Sequence, residues 1–233
     1  NSKNILLPNF LCISNGLSSA KDNIILGNEK VLKARFSDAS FFIQSDLLIN
    51  SSSRINKLKN VTFAEGLGSL YNRVNRIEWL TKLLTNKLKF KQEDIDKSVK
   101  VAHFSKHDLV SNMVDEFPEL QGIIGSKYLL HEGESRDVCL AVLEHYKPKG
   151  SSDSLPSNHL GNAVSLADRF ELLLSIFVKG ERPTGSSDPY ALRRAANGII
   201  LILWNEDWRL NINEIIKDSL IYWQQLFPDL NFD

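Results

Sequence analysis

Apolar residues recur every three or four positions along most of the chain, and this spacing constrains the fold more than any other feature. The clearest example is SLYNRVNRIEWLTKLLTNKL, residues 69–88, where the spacing is carried by Leu70, Val74, Ile77, Leu80 and Leu84. Side chains at this period share one face of an α-helix, whereas a half-buried strand alternates every second residue. No regular alternation of strands and helices is visible, so we expect a mainly α fold.

Further helices are predicted along the rest of the chain, at residues 28–48, 91–110, 119–130, 135–146, 161–178 and 211–227. One more helix is predicted with Asp188 as its N-cap and Pro189 in its first position. Pro118 is expected to break the helical pattern before residue 119. The N-terminal residues 5–7 and 10–14 resemble strands and predict a short β segment. We therefore expect an N-terminal part at 1–60 and a helical domain at 61–233.

The composition excludes some classes of protein. With 233 residues, 42% of them hydrophobic, the chain can form one substantial core or two small ones. No apolar run approaches the length of a membrane span and no signal peptide opens the chain, so we expect a cytoplasmic protein without a membrane partner. Cys12 and Cys139 lie in apolar segments without CxxC spacing, so we expect buried free thiols. Because the only methionine is Met113, we expect a piece of a larger protein.

The charges are unevenly distributed although the net charge is zero. Residues 1–91 carry fourteen Lys and Arg against six Asp and Glu, and residues 92–233 carry fourteen against twenty-two. A basic part of this kind can bind the nucleic-acid backbone. Solvated faces of ordinary helices would give the same pattern, and both interpretations stay open. The candidate contacts in the two most basic stretches are Lys57, Lys59, Lys87 and Lys89.

The pair His107 and Asp108 is a candidate for the centre of a metal site. In the HD phosphohydrolase superfamily, separate helices supply His, His-Asp and Asp ligands to a divalent metal, and Asp168 in SLADRF resembles the last of these. The position that corresponds to the first ligand is Arg73, and a guanidinium cannot coordinate a cation. The sequence therefore predicts a vestigial site without a metal, in which Arg73 pairs with Asp108 or Asp168. His103, one turn before His107, is expected on a helix face.

A second candidate site precedes the helix that follows GERPTGSSDP. The free N–H groups of a helix N-terminus can bind phosphate, and Arg193 and Arg194 would add positive charge. The alternative is that Asp188 simply caps this helix and that one arginine lies in a buried ion pair. No P-loop, dinucleotide-binding glycine motif or nucleophile elbow is present.

Longer segments resemble one family in order along nearly the whole chain. These segments are GNEKVLKARFSDASFF (27–42), VTFAEGLGSLYNRVNRI (61–77), SKHDLVSNMVDEFPELQGIIGSKYLLHEGE (105–134), SNHLGNAVSLADRFELLLSIF (157–177) and PTGSSDPYALRRAANGII (183–200). Together they resemble the β subunit of the bacterial two-subunit glycyl-tRNA synthetase. The resemblance implies an HD-domain-like helical bundle in a middle portion of that subunit.

The same resemblance implies a function and partners. In that family the α subunit carries the catalytic core, which binds ATP, magnesium and glycine, and the β subunit binds glycine tRNA within an α2β2 assembly. We therefore expect a non-catalytic, tRNA-binding segment of glycine–tRNA ligase, with no catalytic residue, metal or cofactor of its own. Two alternatives remain: a metal-dependent HD phosphohydrolase, and a module that docks the α subunit without touching RNA.

Overall fold

The computed structural model describes residues 7–230, and these divide between Ser45 and Asp46 into two compact units. The first unit is built on α1 (Lys21–Leu47), which follows a single 3₁₀ turn at Ser18–Ala20. The helix predicted at 28–48 is thus confirmed, and it begins earlier than expected. Several of its apolar side chains remain exposed, among them Val31, Phe36 and Phe41.

The prediction of an N-terminal β segment is wrong for the residues that the structure describes. Residues 5 and 6 lie outside the described part of the chain, and residues 7–17 contain no strand. A strand needs a partner for its backbone hydrogen bonds, and within residues 7–230 only β1 (Thr62–Ala64) and β2 (Gly68–Ser69) pair with each other. In the same segment Cys12 is exposed, which corrects its predicted burial, whereas Cys139 is buried; both are free thiols.

The second unit contains nine further α-helices within the described residues. They are α2 (Ser51–Lys57), α3 (Leu70–Lys87), α4 (Gln92–Phe104), α5 (Asn112–Glu116), α6 (Ile123–His131), α7 (Arg136–Glu144), α8 (His159–Val178), α9 (Leu192–Asn205) and α10 (Ile212–Leu226). The mainly α fold is confirmed. The antiparallel pair β1–β2 joins Thr62 to Ser69 and Ala64 to Gly68, and Ser69 then caps α3.

The core of the second unit surrounds α8. This helix packs against α3, α4, α7 and α9, and its small residues, such as Ala163 and Ala167, let neighbouring backbones approach closely. The apolar face predicted for α3 is buried: Val74, Ile77, Leu80 and Leu84 have no exposed surface. Ile215 and Trp223 of α10 are equally buried.

The unit that begins at Asp46 includes residues 46–60, which were predicted in the N-terminal part. Ile55 and Leu58 are buried, and α2 packs against α4, α6 and the 3₁₀ turn at His107–Val110. The carboxylate of Asp46 accepts hydrogen bonds from the backbone N–H groups of Asn112 and Met113, each at 3.0 Å. These contacts explain why the division falls before residue 46.

Two predicted helix boundaries need correction. The pattern at 91–110 is one helix only as far as Phe104, and His107–Val110 forms a separate 3₁₀ turn. The helix α9 begins at Leu192, not at Pro189, because Ala191 adopts a left-handed conformation with φ +56°. The break at Pro118 is confirmed, since α5 ends at Glu116.

Candidate functional site

Two arginines of α3 face two carboxylates of α8. Arg73 donates from Nη2 to Asp168 Oδ1 at 2.9 Å and from Nε to Glu171 Oε2 at 2.8 Å. Arg76 donates from Nε to Glu171 Oε1 at 2.8 Å. Both pairs of residues are spaced three apart, which puts each pair on one side of its helix. The structure therefore contains one of the two pairings predicted for Arg73.

Glu171 is the most deeply buried member of this group, with a side chain that has no exposed surface. Besides the two arginines, the hydroxyl of Ser175 donates to its Oε1 at 2.7 Å, and Trp223 Nε1 donates to that hydroxyl at 3.1 Å. Arg76 also donates to the carbonyl of Leu67 at 3.1 Å. A buried carboxylate is tolerated only when it is paired and hydrogen-bonded in this way.

Lys106 brings a further cation to Asp168 from the segment between α4 and the 3₁₀ turn. Its ammonium lies 2.9 Å from Asp168 Oδ2 and 4.0 Å from the centre of the Tyr146 ring, and only 2% of the residue is exposed. Burial lowers the pKa of Lys106 to about 8, with a further contribution from the charge of Arg73, although Asp168 opposes the change. We call Arg73, Arg76, Lys106, Asp168 and Glu171 the ion network.

His145 fixes Lys106 from the other side. Its Nδ1–H donates to the carbonyl of Val142 at 2.7 Å, which leaves Nε2 to accept from the ammonium of Lys106 at 3.0 Å. Burial and the charge of Lys106 lower the pKa of His145 well below its usual value, so this imidazole is neutral. Burial would raise the pKa of Asp168, but Lys106 and Arg73 outweigh it and hold that pKa well below its usual range.

His107 and Asp108 lie on the 3₁₀ turn and have other partners. Asp108 Oδ2 accepts from the backbone N–H groups of Gly122 at 2.6 Å and Gly125 at 3.1 Å. His107 donates from Nδ1 to the carbonyl of Phe104 at 2.6 Å, and its buried Nε2 has no hydrogen-bond partner within the described chain. His103 lies on the face of α4, where its Nδ1 is 2.7 Å from Glu78 Oε1.

These residues do not fit a divalent metal. Within residues 7–230 no three His, Cys, Asp or Glu side chains converge as ligands of one ion. The two oxygens of Asp168 are occupied by Arg73 and Lys106, and two fixed cations at that carboxylate oppose a third. Asp108 is engaged by the start of α6. The positive charges of Arg73 and Lys106 thus occupy the carboxylate that a metal ion would have to bind.

Four members of the site were not predicted from the sequence: Arg76, Lys106, Glu171 and His145. One signal was available: NRVNR and ADRFE place two arginines and two carboxylates at the same spacing of three, so that facing helices could join them. No such signal pointed to Lys106. Lysine is almost never fully buried unless it is paired, so its residue type suggests an exposed position.

The four candidate lysine contacts form two separate pairs. Lys57 and Lys59 are exposed, and the ammonium of Lys59 lies 4.7 Å from the ring centre of Tyr71, at the beginning of α3. Lys87 ends α3 and already pairs with Asp218 at 2.9 Å and Glu214 at 3.6 Å, whereas Lys89 is exposed. At a rise of about 1.5 Å per residue, Tyr71 and Lys87 are about 24 Å apart. The structure does not bring the two pairs into one patch.

Arg193 and Arg194 are both exposed on α9, which excludes the buried ion pair considered for one of them. Asp188 accepts from the N–H groups of Leu192 at 2.7 Å and Arg193 at 3.0 Å. Burial would raise the pKa of Asp188, but these hydrogen bonds lower it. The N-cap residue of α9 is Ala191 and not Asp188, but the carboxylate of Asp188 already uses two of the N–H groups proposed for a phosphate.

The fold and the site together define a mainly α protein whose buried centre is a network of ion pairs between side chains. None of its helices within the described residues is both long and apolar enough to cross a membrane. The chain belongs to the glycyl-tRNA synthetase beta subunit family, whose model matches residues 1–230.

Curated relatives agree with this assignment. The chain is 42% identical to a glycine–tRNA ligase beta subunit of Trichodesmium erythraeum over 228 residues, which is 98% of this chain and 32% of the relative. Beta subunits of the same name from Bacillus subtilis and Streptococcus agalactiae are 43% identical over 211 residues and 44% identical over 213 residues; each match covers 91% of this chain and 31% of the relative. The chain thus spans about a third of the length of the curated relatives it matches.

Proposed function

We propose that this chain is a non-catalytic, tRNA-binding segment of a glycine–tRNA ligase beta subunit in the cytoplasm. It supports the attachment of glycine to its tRNA by an α subunit, within an α2β2 assembly. ATP, magnesium and glycine bind at the α subunit in this proposal. The observation that carries it is the match of the family to residues 1–230, together with relatives that are named as ligase subunits.

The ion network supports a role without metal chemistry. A phosphohydrolase of the metal-dependent kind needs carboxylate and imidazole ligands that are free to bind a cation. Here Asp168 is held by Arg73 and Lys106, and Asp108 is held by Gly122 and Gly125. The same contacts join α3 to α8 and the 3₁₀ turn at His107–Val110 to the start of α6, as expected for an architectural segment.

The exposed lysines of the second unit support RNA binding. Lys57 and Lys59 have no carboxylate within ion-pair distance among the described residues, so their charges are available to phosphates. Lysine contacts of this type release counterions and recognise the backbone of an RNA more than its sequence. Lys87 is less suited to this role, because Asp218 and Glu214 already neutralise it.

The test is a titration of the chain with glycine tRNA across a series of salt concentrations. The variant Lys57→Glu/Lys59→Glu reverses two charges in the basic part. Lys127→Glu/Lys217→Glu reverses two exposed charges in the acidic part and has the same net charge. If Lys57 and Lys59 contact phosphates, the first variant should flatten the slope of log K against log salt by about 0.7–0.9 per lost contact. The second variant should keep the slope of the parent.

Other results would overturn the proposal. Equal changes in slope for the two variants would show that only net charge matters. Binding of purified α subunit with no tRNA binding at low salt would favour the docking module. Turnover of a phosphoester that EDTA abolishes, in the chain alone, would instead favour a phosphohydrolase.

A further inference from the structure

A cavity of about 290 Å³ lies beside the ion network, between α8, the beginning of α9 and the segments that follow α5 and α7. Its charged lining residues are Arg73, Lys149, Arg169, Arg194, Glu119 and Asp168. The volume is close to the lower end of the range for small-molecule sites, about 300–1,000 Å³. The proposed tRNA-binding role does not use this cavity.

The cavity has an excess of positive charge that the protein does not neutralise. Four of the lining side chains are cations and two are carboxylates, and Asp168 is already shared by Arg73 and Lys106. Within the described residues, Lys149, Arg169 and Arg194 form no ion pair with a carboxylate. Lys149 and Arg194 are exposed, and they approach each other closely enough for Arg194 Nη1 to lie 3.4 Å from the carbonyl of Lys149.

Arg169 is held rigidly at the wall of the cavity by neutral acceptors. It donates from Nη1 to the carbonyl of Ser165 at 3.0 Å and also to the Ser165 hydroxyl, and from Nη2 to the carbonyl of Pro148 at 2.8 Å. Gly198 of α9 provides the space, since a Cβ there would lie 2.8 Å from Arg169 Cδ. Only 8% of Arg169 is exposed. Nη2 also donates to the carbonyl of Tyr146 at 3.3 Å, so neutral acceptors occupy both terminal nitrogens. Arg169 therefore adds a fixed positive charge, without a carboxylate partner, to the wall of the cavity.

The remaining walls suit a planar or apolar group next to that anion. Leu172 and Ala195 supply apolar surface, and Tyr146 and Tyr190 supply rings. A phosphate monoester carries close to two negative charges at neutral pH, which matches the excess of two cations. A phosphodiester carries only one.

We propose that this cavity binds the phosphate monoester of a nucleotide, with Arg194 and Lys149 in contact with the phosphate and the charge of Arg169 in the wall behind them. The same group occurs on free mononucleotides and at the 5′ end of an RNA. The inference does not depend on tRNA binding through Lys57 and Lys59, and a mononucleotide alone can test it.

Calorimetric titration at low ionic strength with adenosine 5′-monophosphate, and with adenosine as the probe that lacks the phosphate, tests the proposal. The chain should bind the nucleotide and not adenosine. Arg194→Ala and Lys149→Ala should each weaken nucleotide binding about tenfold or more, because each removes a charge-assisted contact. Arg193→Ala is the matched control: Arg193 is adjacent and exposed but donates to the carbonyl of Thr184, outside the cavity lining. It should bind like the parent.

Three results of these titrations would overturn the proposal: no binding of the nucleotide, equal binding of adenosine, or equal losses for Arg193→Ala and Arg194→Ala. Since Lys149 and Arg194 are exposed, both variants should fold, and circular dichroism checks this.

Competition then identifies the source of the phosphate. Displacement of the nucleotide by a short RNA with a 5′-phosphate, but not by the same RNA with a 5′-hydroxyl, assigns the site to an RNA end. Displacement by neither assigns it to a free nucleotide, and equal displacement by both contradicts a monoester site.

Discussion

Arg73 and Asp168 are joined across α3 and α8 by a 2.9 Å ion pair that leaves 15% and 12% of their side chains exposed. Lys106 reaches the second oxygen of the same carboxylate, and Glu171 takes the second donor of the same guanidinium. Each charge in this group thus has more than one partner. The loss of Arg73 would take one of two cationic partners from both Asp168 and Glu171.

Replacing Arg73 with alanine should destabilise the second unit by about 3–5 kcal/mol, because Asp168 and Glu171 each lose a partner in a buried site. Lys82→Ala, on an exposed position of the same helix, should change the free energy of unfolding by less than about 0.5 kcal/mol. Urea unfolding of both variants and the parent measures the difference. An unchanged midpoint for Arg73→Ala would contradict the stabilising role of the ion pair.

Acid should weaken the second unit partly through Asp168. Because its pKa is lower in the folded chain than in the unfolded chain, the unfolded state binds more protons between the two values. The stability that Asp168 contributes is therefore complete above its ordinary pKa of about 3.9 and is lost as the pH falls from there toward the lowered folded pKa. Asp168→Asn should be less stable at neutral pH but should lose less stability on acidification. Midpoints of urea unfolding between about pH 2.5 and 7 measure the slope, with exposed Glu65→Gln as the control.

The site of Gly198 should not tolerate even a methyl group. Alanine favours a helix by about 1 kcal/mol over glycine, yet the new Cβ would overlap Arg169 Nε and force this hydrogen-bonded side chain to move. Gly198→Ala should therefore lower the melting temperature. Asn197→Ala, its exposed neighbour on α9, should leave that temperature unchanged or raise it. Equal effects of the two substitutions would mean that Arg169 moves freely.

Asp46 should contribute more to stability than any exposed carboxylate of α1. It accepts from the N–H groups of Asn112 and Met113 and from the hydroxyl of Tyr128 at 2.8 Å, with 1% of its surface exposed. Asp46→Ala leaves these donors unsatisfied and should cost at least about 3 kcal/mol. Asp38→Ala, exposed on the same helix, is the control. Similar unfolding midpoints for both variants would show that water replaces the carboxylate.

The helices could be predicted from the sequence because their signal is local. The period of α3 and the break at Pro118 depend on neighbouring residues only. The predicted strand at 10–14 failed because a strand also needs a distant partner, which a local pattern cannot supply. The start of α9 was missed for a related reason. Ala191 adopts a positive φ, which is uncommon for alanine and could not be predicted from its residue type.

The site was predictable in part. The position of Arg73 and its charge suggested a carboxylate partner, but two aspartates were candidates. The choice of Asp168 depends on the turn at His107–Val110, which directs Asp108 toward Gly122 and Gly125. Lys106 could not be predicted, because its burial follows from the packing of Asp168, His145 and Tyr146 around it.

The uncovered apolar side chains of α1 affect how this chain behaves in a salt series. Val31, Phe36 and Phe41 remain in contact with water, and excluded salts such as sulfate strengthen the association of surfaces of this kind. Salt also screens lysine from phosphate and so weakens the binding of RNA. Rising salt should therefore drive two processes in opposite directions, self-association of the chain and release of RNA, and light scattering distinguishes the first from the second.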